Sequence, residues 1–151
     1  MQTIINKAMV YSGNGKTELI HLSNANFKGL GKVWVAVVNT RGSHPCAYVQ
    51  FDGIAKLESC EDAFSLINDR AFDLYDLDME IDFLDTLKFV GLTGLWLGWS
   101  YDHCDDWYQG YPVNDDPHDH DGEHKYTTNE IYLKAYEFLE AMAYTALDLK
   151  V

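Results

Sequence analysis

The sequence predicts an α+β domain, an antiparallel sheet of about five or six strands with a C-terminal helix packed on it. Three observations predict it. An Asn-Gly pair separates two short apolar runs near the N-terminus. β-Branched and aromatic runs recur up to Tyr101. A capping box then opens one long amphipathic stretch near the C-terminus.

In chain order, residues 2–11 and 17–22 are the two runs of a hairpin split by Ser12-Gly13-Asn14-Gly15. Residues 32–39, Lys-Val-Trp-Val-Ala-Val-Val-Asn, lack polar alternation and predict a buried strand. Thr40 to Pro45 turns the chain, and Cys46 to Phe51 is the next strand. From Glu58 to Ala71 the period changes. Ala63, Phe64, Ile67 and Ala71 fall at helical spacing and predict a short helix. Residues 76–83 alternate, with Leu77, Met79, Ile81 and Phe83 on one side and Asp76, Asp78, Glu80 and Asp82 on the other. That alternation favours a strand, although Leu, Met and Glu are also good helix formers. Gly94 to Tyr101 is a central aromatic strand, and Cys104 to Lys125 a long polar loop. Thr127-Thr128-Asn129-Glu130 is the capping box of a helix to about Leu147. Its stripe of Ile131, Ala135, Phe138, Leu139, Met142 and Ala146 should face the sheet.

With 151 residues, no repeat and no Pro/Gly/Ser-rich linker, the chain is expected to form a single domain over 1–151. Its 47% hydrophobic and 14% aromatic content supports a core despite a net charge of −13. No apolar run approaches the ~20 residues of a membrane span. The N-terminus lacks the pattern of a secretory signal. Cys46, Cys60 and Cys104 fit no disulfide framework, so a cytoplasmic location with reduced thiols is expected. Gly13-Asn14-Gly15-Lys16-Thr17 ends like a phosphate-binding loop, but Val10 stands where that motif needs its first glycine.

The charge is lopsided. Residues 1–57 carry six Lys or Arg against two acids, whereas residues 58–123 carry eighteen acids against two bases. Such a surface repels nucleic acid and attracts a basic partner; the alternative is plain solubility. Alternate strand residues lie about 6.6 Å apart, so Asp76, Asp78, Glu80 and Asp82 would form a line of carboxylates. Asp69, Asp73 and Asp85 could thicken it, together with the loop acids Asp105, Asp115 and Asp116.

Four of the six histidines fall in residues 102–124. His103, His118, His120 and His124, with Asp106 and the more distant His44, are candidate metal ligands. Zinc, which favours imidazole and thiolate in a tetrahedron, is the metal this set suits. An ion would order so long a loop. The rival is a solvated acidic loop with incidental histidines. A small metal-dependent hydrolase or nucleotide-processing enzyme, centred on His103 and Asp106, is a further alternative.

Val90-Gly91-Leu92-Thr93, then Leu95-Trp96-Leu97-Gly98-Trp99-Ser100-Tyr101-Asp102-His103-Cys104-Asp105-Asp106, resembles a family of small phage and prophage proteins. Gly42-Ser43-His44-Pro45 and Tyr48-Val49 match its upstream turn and strand, so the resemblance covers about residues 42–145. It implies His44, His103 and Asp106 as metal-site residues. Phe89 departs from the pattern, which has a histidine there, and puts activity at that site in doubt. A small acidic protein of this kind also resembles type II anti-CRISPR proteins. That resemblance implies a CRISPR effector nuclease as partner, met through its basic nucleic-acid-binding surface, with no direct nucleic-acid contact.

Overall fold

In the computed structural model, the described residues are 9–12, 15–40, 44–59, 64–65, 67–69, 80–101, 119–120, 123–124 and 127–145. The run Val35-Ala36-Val37-Val38 is wholly buried, each residue at 0% exposure, although successive side chains point to opposite faces of a strand. This requires cover on both faces, and the rest of the fold supplies it.

The run lies in β3 (Gly31–Thr40). Its companions are β1 (Met9–Ser12), β2 (Gly15–Phe27), β4 (His44–Gln50), β5 (Phe83–Thr86) and β6 (Leu95–Ser100). The six form one antiparallel sheet in the order β1-β2-β3-β4-β6-β5, so β6 inserts between β4 and the edge strand β5. A second, two-stranded pair, β7 (Asp119–His120) and β8 (Glu123–His124), lies in the segment expected to be loop.

The C-terminal helix, Thr128–Thr145, covers one face. Its capping box is formed. The Glu130 N–H donates to Thr127 Oγ1 at 3.0 Å, and the Thr127 N–H to Glu130 Oε1 at 3.1 Å. Ile131, Ala135, Phe138, Leu139 and Met142 pack with Val33, Val35, Val37, Ala47, Val49, Leu97 and Trp99, as the stripe predicted. Ala146 lies outside the described residues. The opposite face buries Leu19, Leu22, Ala36, Val38, Cys46, Tyr48 and Trp96 beneath Leu87 and Val90. A short 3₁₀ turn, Lys88–Val90, carries Val90. Among the described residues, no helix is long and apolar enough to cross a membrane.

Several expectations change. β2 runs on to Phe27, past the apolar run that ends at Leu22, because its polar residues find places in the fold. Ser23 is buried, with its hydroxyl 3.0 Å from Tyr136 Oη. A bulge sets Ile20 and His21 against Val37, and both then pack on the helix side. The helix expected over 58–71 begins later. Ile54–Ser59 is 3₁₀ and the described helical residues are 64–65 and 67–69. Ile67 is buried there but Phe64 is 38% exposed, so the two do not share a buried stripe.

Ile81 and Phe83 likewise do not point one way. Ile81 joins the helix-side core and Phe83 packs against the opposite one. The Asn68 side chain explains the switch. Its Nδ2 donates to the Ile81 carbonyl at 3.2 Å and its Oδ1 accepts the Ile81 N–H at 2.8 Å. This clamp holds Ile81 outside the ladder, which starts at Phe83.

Phe83, Gly98 and Tyr48 share one row of the sheet. Gly98 has no side chain, so the Tyr48 ring lies across β6 and meets Phe83 edge-on, with centroids 5.1 Å apart. A Cβ at Gly98 would overlap the Tyr48 ring. Gly98→Ala should therefore destabilise the fold by about 1–3 kcal/mol in chemical denaturation, an overpacking cost. A neutral result would show that the ring does not sit there.

Candidate functional site

Of the described acids, Glu80, Asp82 and Asp85 follow the free edge of the sheet, whereas Asp52, Glu58, Glu137 and Glu140 are exposed elsewhere. Glu80 and Asp82 are exposed on either side of buried Ile81, and Asp85 is exposed on β5 itself. The Asp82 N–H donates to the Gly98 carbonyl at 3.2 Å, which ties this acid to the edge. The Asn68 clamp brings exposed Asp69, its chain neighbour, close to the same stretch. Asp76, Asp78, Asp105, Asp115 and Asp116 lie outside the described residues, as do His103, Asp106 and His118.

Exposed Lys28 and Lys32 flank the turn between β2 and β3. β3 and β5 are three strand spacings apart, roughly 14 Å. The Debye length at physiological salt is about 8 Å, so those lysines are largely screened from the acidic edge. Lys88, just beyond β5, is the nearer cation of the three. Asp52 is an exposed acid near the β2–β3 turn, beside Gly31, so the separation of charge is not complete.

Topology adds a second acidic contribution. His21, Val37, Ala47 and Trp99 form one row across the sheet. Beyond it lie the β3–β4 connection and the end of β6, where the Tyr101 N–H donates to the Pro45 carbonyl at 3.0 Å. The helix starts at the same end. Tyr132 packs on His21, Tyr136 meets Phe27, and the Ala143 carbonyl lies beside Gly29. Tyr101 and Thr127, the residues that flank 102–126, therefore stand at one end of the sheet. That segment holds eight acids and four histidines against one lysine.

His44 begins β4 opposite Thr40, next to the Pro45 that anchors Tyr101. The backbone thus brings one candidate ligand within a few residues of the approach to His103. His120 pairs with Glu123, and His124 with Asp119, so the two histidines occupy successive rungs of their ladder and not equivalent ones. Among the described residues no three His, Cys, Asp or Glu side chains converge as a metal site would require. Cys46 is a buried thiol in the face opposite the helix.

Sequence reasoning passed over His21. Its ring meets Tyr132 edge-on at 4.3 Å, and its Nε2 is buried without a hydrogen-bond partner. Desolvation lowers its pKa from 6.5. Beside it, the Tyr136 phenol is pushed up to about 12, chiefly by burial. The bulge turns His21 under the helix, and no local pattern announces that.

Comparison with family models, with curated proteins and with solved structures found no match.

Because the folded state holds His21 neutral, the unfolded chain binds more protons once pH drops below 6.5. The stability that this histidine contributes is full above 6.5 and falls as pH is lowered toward its depressed folded value. Denaturation midpoints measured between about pH 7 and pH 5 should fall less in His21→Phe than in the parent. Equal slopes would contradict the placement.

Proposed function

We propose that the protein is a phage-type anti-defence inhibitor, of the anti-CRISPR kind. It would occupy the basic nucleic-acid-binding surface of an effector nuclease in place of the nucleic acid. The observation that carries this reading is the acidic edge. Glu80 and Asp82 are exposed just before the outer strand and Asp85 on it, beside the sheet end from which the eight-acid segment departs and to which it returns.

The physical role of such an edge is to present negative charge to a cationic groove. Electrostatic complementarity of this type sets the encounter rate and the choice of partner more than the final affinity. Lys28 and Lys32 are largely screened from this edge at physiological salt, while Lys88 stands nearer to it. In this reading a zinc ion held by His44, His103, Asp106 and histidines of 118–124 braces the segment and takes no part in chemistry. The support for it is the Tyr101–Pro45 hydrogen bond beside His44.

The test is binding of the purified protein to a guide-loaded effector nuclease across a salt series, with metal analysis of the same preparation. Raising salt from about 0.1 M to about 1 M shortens the Debye length from about 10 to about 3 Å and should weaken binding steeply. Replacing Glu80, Asp82 and Asp85 together by Lys should weaken it at least about tenfold at low salt. Salt-independent affinity, or a triple variant that binds like the parent, would overturn the electrostatic mechanism. A preparation free of metal would remove the brace alone.

A further inference from the structure

The sheet face away from the helix carries a feature that the acidic edge does not use. Trp34 pairs with Gln50, and one step on from the Val49–Leu97 pair Gln50 comes beside Trp96. These three side chains, with Leu22 and the 91–93 loop, line an open cleft of about 250 Å³.

The cleft is held in shape by hydrogen bonds in its own wall. Gln50 Nε2 donates to the carbonyls of Thr93 at 2.9 Å and Leu95 at 3.1 Å. The Trp96 indole N–H donates to the same Thr93 carbonyl at 3.0 Å. Gly91 takes a positive φ of 77°, and the Leu92 N–H donates to the Leu87 carbonyl at 3.2 Å, which fixes the turn. Trp96 is buried at 2% exposure, whereas Trp34 remains partly exposed. Outside the cleft lining, the Lys32 ammonium stands over the Trp34 ring, 5.1 Å from its centroid.

We infer that this cleft binds a planar aromatic small molecule bearing a negative charge. The partly exposed Trp34 indole offers flat apolar contact that favours a ring, buried Trp96 backs the floor, and Lys32 supplies the matching cation. Drug-sized ligands occupy roughly 300–1,000 Å³, so this volume admits one fused ring system with one anionic group and excludes a peptide segment. Exposed Lys28 and Lys88 lie toward the same end of the sheet, where exposed Asp52 is the opposing acid beside Gly31. The site does not depend on the proposed inhibitor role.

The test titrates isotope-labelled protein with 1-naphthoate and, separately, with its uncharged twin 1-naphthalenemethanol, following the indole N–H signals. Naphthoate should shift the Trp34 and Trp96 signals saturably at up to roughly 10 mM, the weak affinity expected of a fragment. Lys32→Gln, a change at an exposed position whose fold the same spectrum checks, should weaken naphthoate about three- to fivefold and leave the neutral twin unchanged. The inference is overturned if neither indole signal saturates, if the neutral twin binds the parent as tightly as naphthoate, or if Lys32→Gln has no effect.

Discussion

The middle of the central strand β3, Val35 to Val38, has no solvent face. Val35, Val37 and their neighbours on β4 and β6 are sealed by the helix, and Ala36 and Val38 lie under the opposite core. Charge cannot occupy these strands without a large desolvation cost. Among the described residues, no acid lies on β3, β4 or β6. The same constraint explains why both faces must be roofed by segments from far along the chain, the helix on one side and the 87–90 region on the other.

An acidic edge strand has an ordinary explanation, since charge and short length protect an open edge from pairing with another chain. One well-placed charge suffices for that. Neighbouring carboxylates repel one another even in water. Repeating them from Glu80 to Asp85, beside a segment with eight more acids, raises this opposing term without further protecting the edge. In the proposed reading, a cationic partner would relieve that repulsion.

The parts of the fold legible in the sequence are those with local causes. The continuous Val-rich run, the aromatic run at 95–100 and the reciprocal Thr127–Glu130 cap can each be read from a window of a few residues. What escaped depends on distant partners. β2 continues through Ser23 because Tyr136, on the helix, meets its hydroxyl. Ile81 and Phe83 part company because Asn68 clamps one of them. The cleft needs Trp34, Gln50 and Trp96 in one row, which only strand order supplies. Of the candidate site, the exposure of Glu80 and Asp82 was readable from alternation. The metal-ligand set was not, because ligand geometry is set by how separate strands end together.

Hydrogen exchange of the protein with and without a guide-loaded effector nuclease addresses the central claim most directly. The account predicts new protection concentrated in residues 80–86, with the helix exchanging as it does in the free protein. Protection of the helix instead, with residues 80–86 unchanged, would contradict it.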